Sequence, residues 1–401
     1  LAESKFSGII NLGSGQSTRV SEVIATLKVF FPKMKIKYED MDIPFEASRA
    51  DTALLEKVTS WKPENSVKDG IKKIIEFEKK RKGYEIQEYG NVLVTSASKK
   101  IPMIEALKTA ARKISPSIKV FAGDLDPEAL SKYFADEFYK MPRLTDEAFD
   151  AILAYLKKKN ISAVIPSRDG ELEYWAKHKK ILKKNKIHVM VSDSETISRS
   201  VDKLKFSKYL IEKNFPAIPA YSSVDQVKSP RIVVKERFGA GSASLGIDLT
   251  VNKALDHAKG LLEPIFQPFI KGEEFSVDLY VDLRGHIKGV IARKRSLVVN
   301  GESQITEVIA DKKLEELCIN SAKALGIRGH AIFQIIKQGS KYHLIECNAR
   351  FGGASTISLS SGLDSFYWFL LEANGENIDS YPFIKSEVNL KQVRYPKDIL
   401  L

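Results

Sequence analysis

The sequence is poor in cysteine and lacks long apolar runs. Only two of its 401 residues are cysteines, Cys318 and Cys347. Such sparse usage excludes a disulfide-stapled framework and a zinc site built from cysteines, and it favours a reducing, cytoplasmic location. No window approaches the roughly 18 uncharged apolar residues of a transmembrane helix, so no membrane partner is predicted. The first residues also lack the charged and apolar regions of a secretory signal.

A block of basic residues interleaved with aromatics is absent as well. The chain carries 63 lysines and arginines against 51 aspartates and glutamates, a net charge of +12. The lysines are spread through Glu-rich helical segments, such as Glu76–Lys82 and Lys312–Glu316. We therefore interpret the excess charge as solvated surface and predict no nucleic-acid partner.

Three patterned segments and one short linker make up the chain. Residues 1–80 contain two amphipathic helical patterns, whereas residues 81–90 lack an apolar period and are predicted to be a linker. In residues 91–195 predicted strands at 91–95, 118–122, 161–166 and 187–191 alternate with helices, which predicts a small parallel α/β domain. Residues 196–401 combine a helix with several alternating strands and predict an α+β domain built on antiparallel strands. The expected fold class is therefore α/β and α+β, in a multidomain chain.

A lysine at the end of a predicted strand precedes a loop rich in glycine and serine. The strand ends at Lys235, and Gly239, Gly241 and Ser242 follow it. Glycines let backbone amides approach an anion, and a lysine supplies a point charge for phosphate oxygens. The loop has neither the Walker pattern nor a dinucleotide fingerprint. Phosphate binding is one interpretation of it, and a flexible hairpin is the other.

A second element has the pattern of a strand, a turn and another strand. Gln267 and Phe269 precede the turn at Gly272, and Glu274 begins the next strand. The backbone beside Phe269 could bracket a flat heterocycle, and the carboxylate could accept ribose hydroxyls. Taken alone, a plain turn with solvated acids is the favoured interpretation.

Polar residues alternate along an otherwise apolar strand. Glu346, Asn348 and Arg350 are spaced two residues apart, so they point to one face, and Gln334 lies on the preceding strand. Oxygen ligands from Gln, Glu and Asn suit Mg²⁺, and an arginine could neutralise a phosphoryl group in transfer. An ordinary polar strand edge is the alternative.

Taken together and in this order, these motifs resemble the ATP-grasp superfamily, in its carbamoyl-phosphate-synthetase-like branch, over residues 91–401. The resemblance implies a small pre-ATP-grasp α/β domain at 91–195 and an ATP-grasp domain at 196–401. The nucleotide-binding residues that it implies are Lys203, Lys235, Gly239, Gly241, Ser242, Gln267, Phe269 and Glu274. It implies Gln334, Glu346 and Asn348 as magnesium ligands.

The activity implied by this resemblance is ligation of a small-molecule carboxylate to an amine. ATP and Mg²⁺ would convert the carboxylate to an acyl phosphate, and ADP and phosphate would be released. No nucleophile with a base partner is visible, which fits chemistry that depends on positioning and charge neutralisation. Superfamily members are often dimers, so a homodimer is a candidate assembly.

Two arginines follow a strand that is expected to border the site. One of Arg293 and Arg295 is a candidate to hold the substrate carboxylate, because a guanidinium matches it bidentately. A solvated basic turn is the alternative. The candidate catalytic residues are Arg350, Lys235 and Arg293. A further run, 168–171, either faces the site or caps a helix, and the cap is favoured.

Residues 1–80 resemble a different family. The run Phe6-Ser-Gly-Ile-Ile-Asn-Leu-Gly-Ser-Gly-Gln-Ser-Thr and the later Trp61-Lys-Pro63 are similar to the C-terminal end of an NAD-dependent epimerase/dehydratase of the extended short-chain type. No glycine-rich dinucleotide fingerprint precedes this segment, and it holds no Tyr-x-x-x-Lys pair. The segment is therefore expected to be either part of a longer fusion or a relic attached to a ligase.

Two alternatives to a plain ligase follow. The first is a fragment of a bifunctional protein, in which an NAD-dependent sugar-nucleotide epimerase/dehydratase is fused to an ATP-grasp module. Its context would be sugar-nucleotide or surface-polysaccharide metabolism. The second is a non-catalytic nucleotide sensor, against which the intact Gln334, Glu346 and Asn348 argue.

Overall fold

A computed structural model of the chain describes residues 10–11, 13–32, 34–37, 49–59, 61–62, 64–82, 89–239, 244–386 and 390–400. The chain divides into two compact units. The first comprises residues 1–89 and 112–117, and the second comprises residues 90–111 and 118–401. Over the described ranges, no helix is both long enough and apolar enough to cross a membrane.

The first unit contributes three described helices, namely α1 (Val20–Phe30), α2 (Ala53–Thr59) and α3 (Val67–Lys82). The first and third correspond to the two amphipathic patterns. Ser66 starts α3 because its hydroxyl accepts the amide of Asp69 at 3.1 Å. The helix continues two residues into the predicted linker, and residues 83–88 lie outside the described part of the chain. Residues 6–9 and 12 of the epimerase-like run that begins at Phe6 also lie outside it.

The second unit begins with a parallel sheet of five strands in the order β3-β2-β1-β4-β5. The strands are β1 (Asn91–Thr95), β2 (Val120–Asp124), β3 (Glu137–Lys140), β4 (Ile161–Pro166) and β5 (His188–Val189), and the helices between them are α4 (Ile101–Ile114), α5 (Phe149–Lys158) and α6 (Leu172–Lys184). The central strands are buried almost throughout and consist of continuous apolar runs. The predicted parallel α/β arrangement is confirmed.

Two helices, α7 (Ser194–Val201) and α8 (Lys203–Glu212), lead into a small antiparallel sheet. That sheet has the order β7-β6-β8, with β6 (Ile232–Glu236), β7 (Gly246–Leu249), β8 (Pro264–Pro268) and the helix α9 (Val251–Ala258). Ile232, Val234, Ala254 and Phe266 form its own small core. The small sheet therefore has an apolar core of its own beneath β6, the strand that contains Lys235.

A six-stranded antiparallel sheet completes the second unit, in the order β13-β12-β9-β10-β11-β14. Its strands are β9 (Glu273–Val281), β10 (Ile287–Val299), β11 (Glu302–Ile309), β12 (Gly329–Gln338), β13 (Lys341–Asn348) and β14 (Lys391–Val393), and the accompanying helices are α10 (Lys312–Leu325), α11 (Thr356–Ser360) and α12 (Ser365–Ala373). Helix α10 begins at the side-chain cap of Asp311 and ends at Gly326, which has the left-handed conformation that favours glycine. The expected antiparallel α+β part is confirmed.

Candidate active site

A cavity of about 620 Å³ is lined by residues of both antiparallel sheets. Its wall contains most of the residues that the sequence predicts to bind a nucleotide and a metal, namely Lys203, Lys235, Gly239, Gln267, Phe269, Glu274, Gln334 and Glu346. Apolar residues complete the wall, among them Ile218, Val233, Leu245, Ile247, Ile336 and Ile345. Gly241 and Ser242 lie outside the described residues, and their role stays a prediction.

Two lysines lie at one side of this cavity. Lys203 is largely buried, and its Nζ donates to the backbone carbonyl of Gly239 at 2.8 Å. Burial, the main cause, lowers the pKa of Lys235 to about 8; the charge of Glu346 opposes this shift and the charge of Lys203 adds to it. Two ammonium groups in a partly buried wall make this side of the cavity suited to an anion.

The sequence did not reveal what holds Lys203 in place. The carboxylate of Asp202, buried and at the start of α8, accepts the backbone amides of Leu204 and Lys205 and so caps the helix. It also accepts two hydrogen bonds from Arg237, at 2.9 Å from Nε and 2.6 Å from Nη2. The helix start is thereby fixed to the segment that follows β6. An Asp directly before a Lys at a helix start was the available signal.

The turn after β8 forms another part of the wall. The side-chain amide of Gln267 is buried and donates to the carbonyl of Ile218 at 3.2 Å. The backbone amide of Phe269 donates to the carbonyl of Arg231 at 2.9 Å. That amide is therefore already engaged. Ile270 and Lys271 also line the cavity, and their backbone groups are candidates for contact with a flat heterocycle.

Arg295 is part of the cavity wall and is held by four hydrogen bonds. Its Nη1 lies 2.9 Å from Oε2 of Glu274 and 3.1 Å from Oε1 of Gln334. Its other nitrogens donate to the hydroxyl of Ser303 and the carbonyl of Gly301. Only 6% of this side chain is exposed. One guanidinium thus joins the predicted ribose acid to a predicted metal ligand.

Arg293, one of the two candidates for holding a substrate carboxylate, is not among the residues that line the cavity. Arg293 is 3% exposed, and its Nε donates to Oδ2 of the fully buried Asp278 at 2.5 Å. His330 also contacts Asp278, at 3.1 Å, and the hydroxyl of Ser355 donates to it. Arg293 therefore belongs to a buried ionic cluster of Asp278, Arg293, His330 and Ser355. Side chains two positions apart on a strand lie about 6–7 Å from each other. This distance separates Arg293 from the cavity that Arg295 lines.

The predicted metal ligands lie on the paired strands β12 and β13. Gln334 is directly opposite Glu346, and both line the cavity. The side-chain amide of Asn348 donates to Glu346 Oε1 at 3.1 Å, and Arg350 Nη2 lies 3.3 Å from Asn348 Oδ1. One carboxylate and two amide oxygens fit Mg²⁺, which takes few protein ligands when phosphates supply the rest. The described residues contain no cluster of three or more His, Cys, Asp or Glu suited to another metal.

The run 168–171 after β4 does two things. The buried Glu171 accepts the backbone amides of Ser167 and Arg168, at 2.8 Å and 3.0 Å, which is the favoured capping role. Asp169 instead pairs with Arg350, with 2.5 Å between Oδ2 and Nη2. The cap interpretation is therefore confirmed for Glu171 and wrong for Asp169, because Asp169 pairs with Arg350 just beyond the end of β13.

Comparisons with known proteins match two parts of the chain. Residues 262–396 match a family described as ATP-grasp in the biosynthetic pathway with Ter operon. Residues 92–190 match the family PylC-like, N-terminal domain. A curated relative, the carbamoyl phosphate synthase large chain of Clostridium acetobutylicum, is 25% identical over 251 residues. That match covers 56% of this chain but only 23% of the relative's length.

Solved structures share the fold at low identity. Biotin carboxylase from Campylobacter jejuni, in a complex with an ATP ligand, has a TM-score of 0.60 at 19% identity and covers 77% of this chain and 76% of its own. N5-carboxyaminoimidazole synthetase from Staphylococcus aureus, complexed with ADP, has a TM-score of 0.58 at 15% identity, covering 72% and 78%. L-amino acid ligase from Bacillus licheniformis has a TM-score of 0.56 at 17% identity, covering 72% and 75%.

Proposed function

We propose that this chain, which has the mixed α/β ATP-grasp fold with a parallel-sheet domain before it, is an ATP- and Mg²⁺-dependent ligase. It would join a carboxylate to an amine through an acyl phosphate and release ADP and phosphate. The observation that carries the proposal is the single cavity shared by Lys203, Lys235, Glu274, Gln334 and Glu346. Residues 91–195 would be the pre-ATP-grasp domain and residues 196–401 the catalytic domain.

The nucleotide would lie with its phosphates at the two lysines and its base at the turn after β8. The ammonium groups of Lys203 and Lys235 in the cavity wall would neutralise negative charge on the phosphate oxygens. Gly239, together with Gly241 and Ser242, would close over the phosphates. Glu274 would accept ribose hydroxyls after releasing Arg295, and the apolar wall would cover the base.

Phosphoryl transfer requires little acid or base catalysis by protein side chains. Gln334, Glu346 and Asn348 would hold Mg²⁺, which, when bound, neutralises negative charge on phosphate oxygens. Arg350 adds a positive charge just beyond the end of β13. Asp169 fixes the direction of its guanidinium. The geometry thus favours positioning and charge neutralisation as the catalytic strategy.

The similar proteins support this proposal by what their names say. They include a carbamoyl phosphate synthase large chain, a synthetase bound to ADP and an amino acid ligase. The carboxylate–amine chemistry is our proposal for this chain. For the first unit we propose the epimerase/dehydratase-like origin and a sugar-nucleotide context. A separate polar cavity of about 560 Å³ within that unit, lined among others by Ser14, Gln16, Thr18 and Asn65, supports a polar ligand there.

The deciding experiment measures nucleotide products. The purified chain would be incubated with Mg²⁺-ATP and pools of amino acids, uronic acids and amines, and ADP, AMP and phosphate would be resolved. We expect ADP and phosphate to appear only with a particular pool, and splitting that pool would identify the substrate. AMP in place of ADP would contradict the acyl-phosphate route. Absence of nucleotide binding would contradict the proposal as a whole.

Lys235 gives the nucleotide site a defined pH dependence. Because its pKa is about 8, the ammonium form that binds phosphate predominates below pH 8 and is lost above it. We expect the affinity for Mg²⁺ and a non-hydrolysable ATP analogue to fall by up to about tenfold per pH unit above pH 8. Lys235→Met should weaken binding by about 10–100-fold at pH 7 and abolish this slope. Calorimetry from pH 6.5 to 9.5 measures the affinity and its decline with pH. The Lys203→Met variant should bind the analogue weakly, yet its affinity should still fall above pH 8.

A further inference from the structure

The parallel sheet of the second unit has a topological switch point. In the order β3-β2-β1-β4-β5, the chain proceeds outward from β1 on one side and from β4 on the other. Open α/β sheets bind ligands in the crevice outside the carboxyl ends of the strands at such a point. The loops that leave β1 and β4 are joined here, because the hydroxyl of Ser167 donates to the carbonyl of Ser96 at 2.8 Å. The nucleotide cavity described above contains no residue of either loop.

Positive charge is concentrated at this switch point. Lys100 follows β1, and its electrostatic neighbours are Arg350, Glu302, Asp169 and Arg168. Arg394, after β14, pairs with Glu302 at 2.7 Å and lies next to the loop at Gly353. We call these six charged residues the switch-point cluster: Lys100, Arg168, Asp169, Glu302, Arg350 and Arg394.

The cluster is not electrically balanced. It holds four cations and two carboxylates, an excess of two positive charges. Both carboxylates are already paired, Asp169 with Arg350 and Glu302 with Arg394. Among the described residues, none forms an ion pair with Lys100 or Arg168. Burial and the charge of Arg350 both lower the pKa of Lys100, and an anion bound here would favour its charged form.

The cluster also contains a buried hydrogen-bond donor that has no acceptor among the described residues. The Nε of Arg350 is buried and has no hydrogen-bond partner within the described part of the chain. Buried donors without a partner are uncommon and each calls for an explanation. An anionic ligand placed against Arg350 would supply the missing acceptor.

The cluster is connected to the nucleotide cavity by a short chain of contacts. Glu346 lines the cavity and accepts from Asn348 at 3.1 Å, Arg350 lies 3.3 Å from Asn348, and Asp169 lies 2.5 Å from Arg350. A carboxylate bound beside Arg350 therefore lies next to the strand that would carry the metal. The rest of such a molecule would extend toward Lys100 and Arg168.

We propose that the switch-point cluster is the binding site of the carboxylate substrate, and that this substrate carries at least one further anionic group. One anionic group meets Arg350 near the phosphoryl donor, and the second meets Lys100 and Arg168. The chemical class is a small dicarboxylate or a carboxylate that bears a phosphate. This inference rests on the proposed ligase function, because it assigns the substrate of that same reaction.

The test is direct binding, which needs no turnover. Calorimetric titrations would use acetate, glutarate, citrate and 3-phosphoglycerate, each with and without saturating Mg²⁺-ADP. We expect at least one probe with two or more negative charges to bind at least tenfold more tightly than acetate. Lys100→Met and Arg168→Gln should each weaken that binding at least tenfold and leave the affinity for Mg²⁺-ADP within twofold. Comparing glutarate with 3-phosphoglycerate shows whether the second anionic group is a carboxylate or a phosphate.

The matched control is Lys99→Met, which removes an exposed lysine from the same loop and should leave both affinities unchanged. Equal binding of the probes by the wild type and the Lys100 and Arg168 variants would overturn the assignment. So would binding of Mg²⁺-ADP with no binding of any multiply charged probe, and the nucleotide site would then still stand. Probe binding without any binding of Mg²⁺-ADP would keep the anion site and remove the ligase proposal.

Discussion

Glu346→Gln is expected to lower the rate of ADP formation by at least about 10²–10³-fold, the range for losing several kcal/mol of transition-state stabilisation. Glu346 is the only carboxylate among the three predicted metal ligands, and it lines the cavity opposite Gln334. The amide has the same size but carries no charge. The variant should therefore fold normally and should need a higher Mg²⁺ concentration for whatever activity remains.

The measurement is ADP release at several Mg²⁺ concentrations with the substrate pool that supports turnover. Glu273→Gln is the matched control, because Glu273 is exposed on β9, a strand of the same sheet, and pairs only with Lys294 in the described structure. That control should keep the wild-type rate. An unchanged rate for Glu346→Gln would remove the metal assignment for this strand, whatever the control does.

Asp278→Asn is expected to have the largest effect on stability, a loss of about 3–5 kcal/mol in the free energy of unfolding. Asp278 is fully buried and faces Arg293, which is itself only 3% exposed. Neutralising the carboxylate leaves a buried guanidinium without its counter-charge. It also weakens the contacts of His330 and Ser355. Denaturant unfolding of the two proteins measures the difference.

Two variants control for this prediction. Lys294→Met breaks the exposed ion pair with Glu273 next to Arg293 and should cost less than about 1 kcal/mol. The double variant Asp278→Asn with Arg293→Met should recover part of the loss, because no unpaired charge remains buried. A double variant less stable than the sum of the two single changes would contradict the ionic explanation.

The same carboxylate predicts an acid limb of the stability curve. Burial by itself raises the pKa of Asp278, but the charge of Arg293 and the contact with His330 outweigh it and hold the pKa well below its usual range. The stability that Asp278 contributes is therefore complete above its unfolded-state pKa of about 3.9 and is lost as the pH falls toward the folded-state pKa. In the Asp278→Asn variant, the free energy of unfolding should therefore depend less on pH in this acid range.

The sequence predicted the elements whose pattern is local. The strands 91–95 and 161–166 were expected where the structure has β1 and β4, because buried parallel strands are short continuous apolar runs. Strand β3 was missed, since it is a half-buried edge strand with charged residues at both ends. The spacing of Glu346 and Asn348 was by itself enough to predict that these two polar residues share one face of β13, whereas Arg350 lies two residues beyond the end of that strand.

What could not be predicted depends on contacts between distant segments. The sequence placed Arg293 and Arg295 just after a strand, whereas both lie within β10, and it could not show that Asp278 would bury the first of them. The pairing of Asp169 with Arg350 joins residues 181 positions apart, and no local pattern encodes that. Such pairings appear only once the order of strands in both sheets is known.

That separation of 181 residues between Asp169 and Arg350 has a consequence during synthesis. At roughly 5–20 residues per second, Asp169 leaves the ribosome roughly 10–40 s before Arg350 does. The parallel sheet that carries Lys100, Arg168 and Asp169 can form in that interval, with its acidic and basic groups still in water. A nascent chain would thus carry Asp169 before its partner Arg350 exists, and the proposed ligase activity would have to wait until β13 docks.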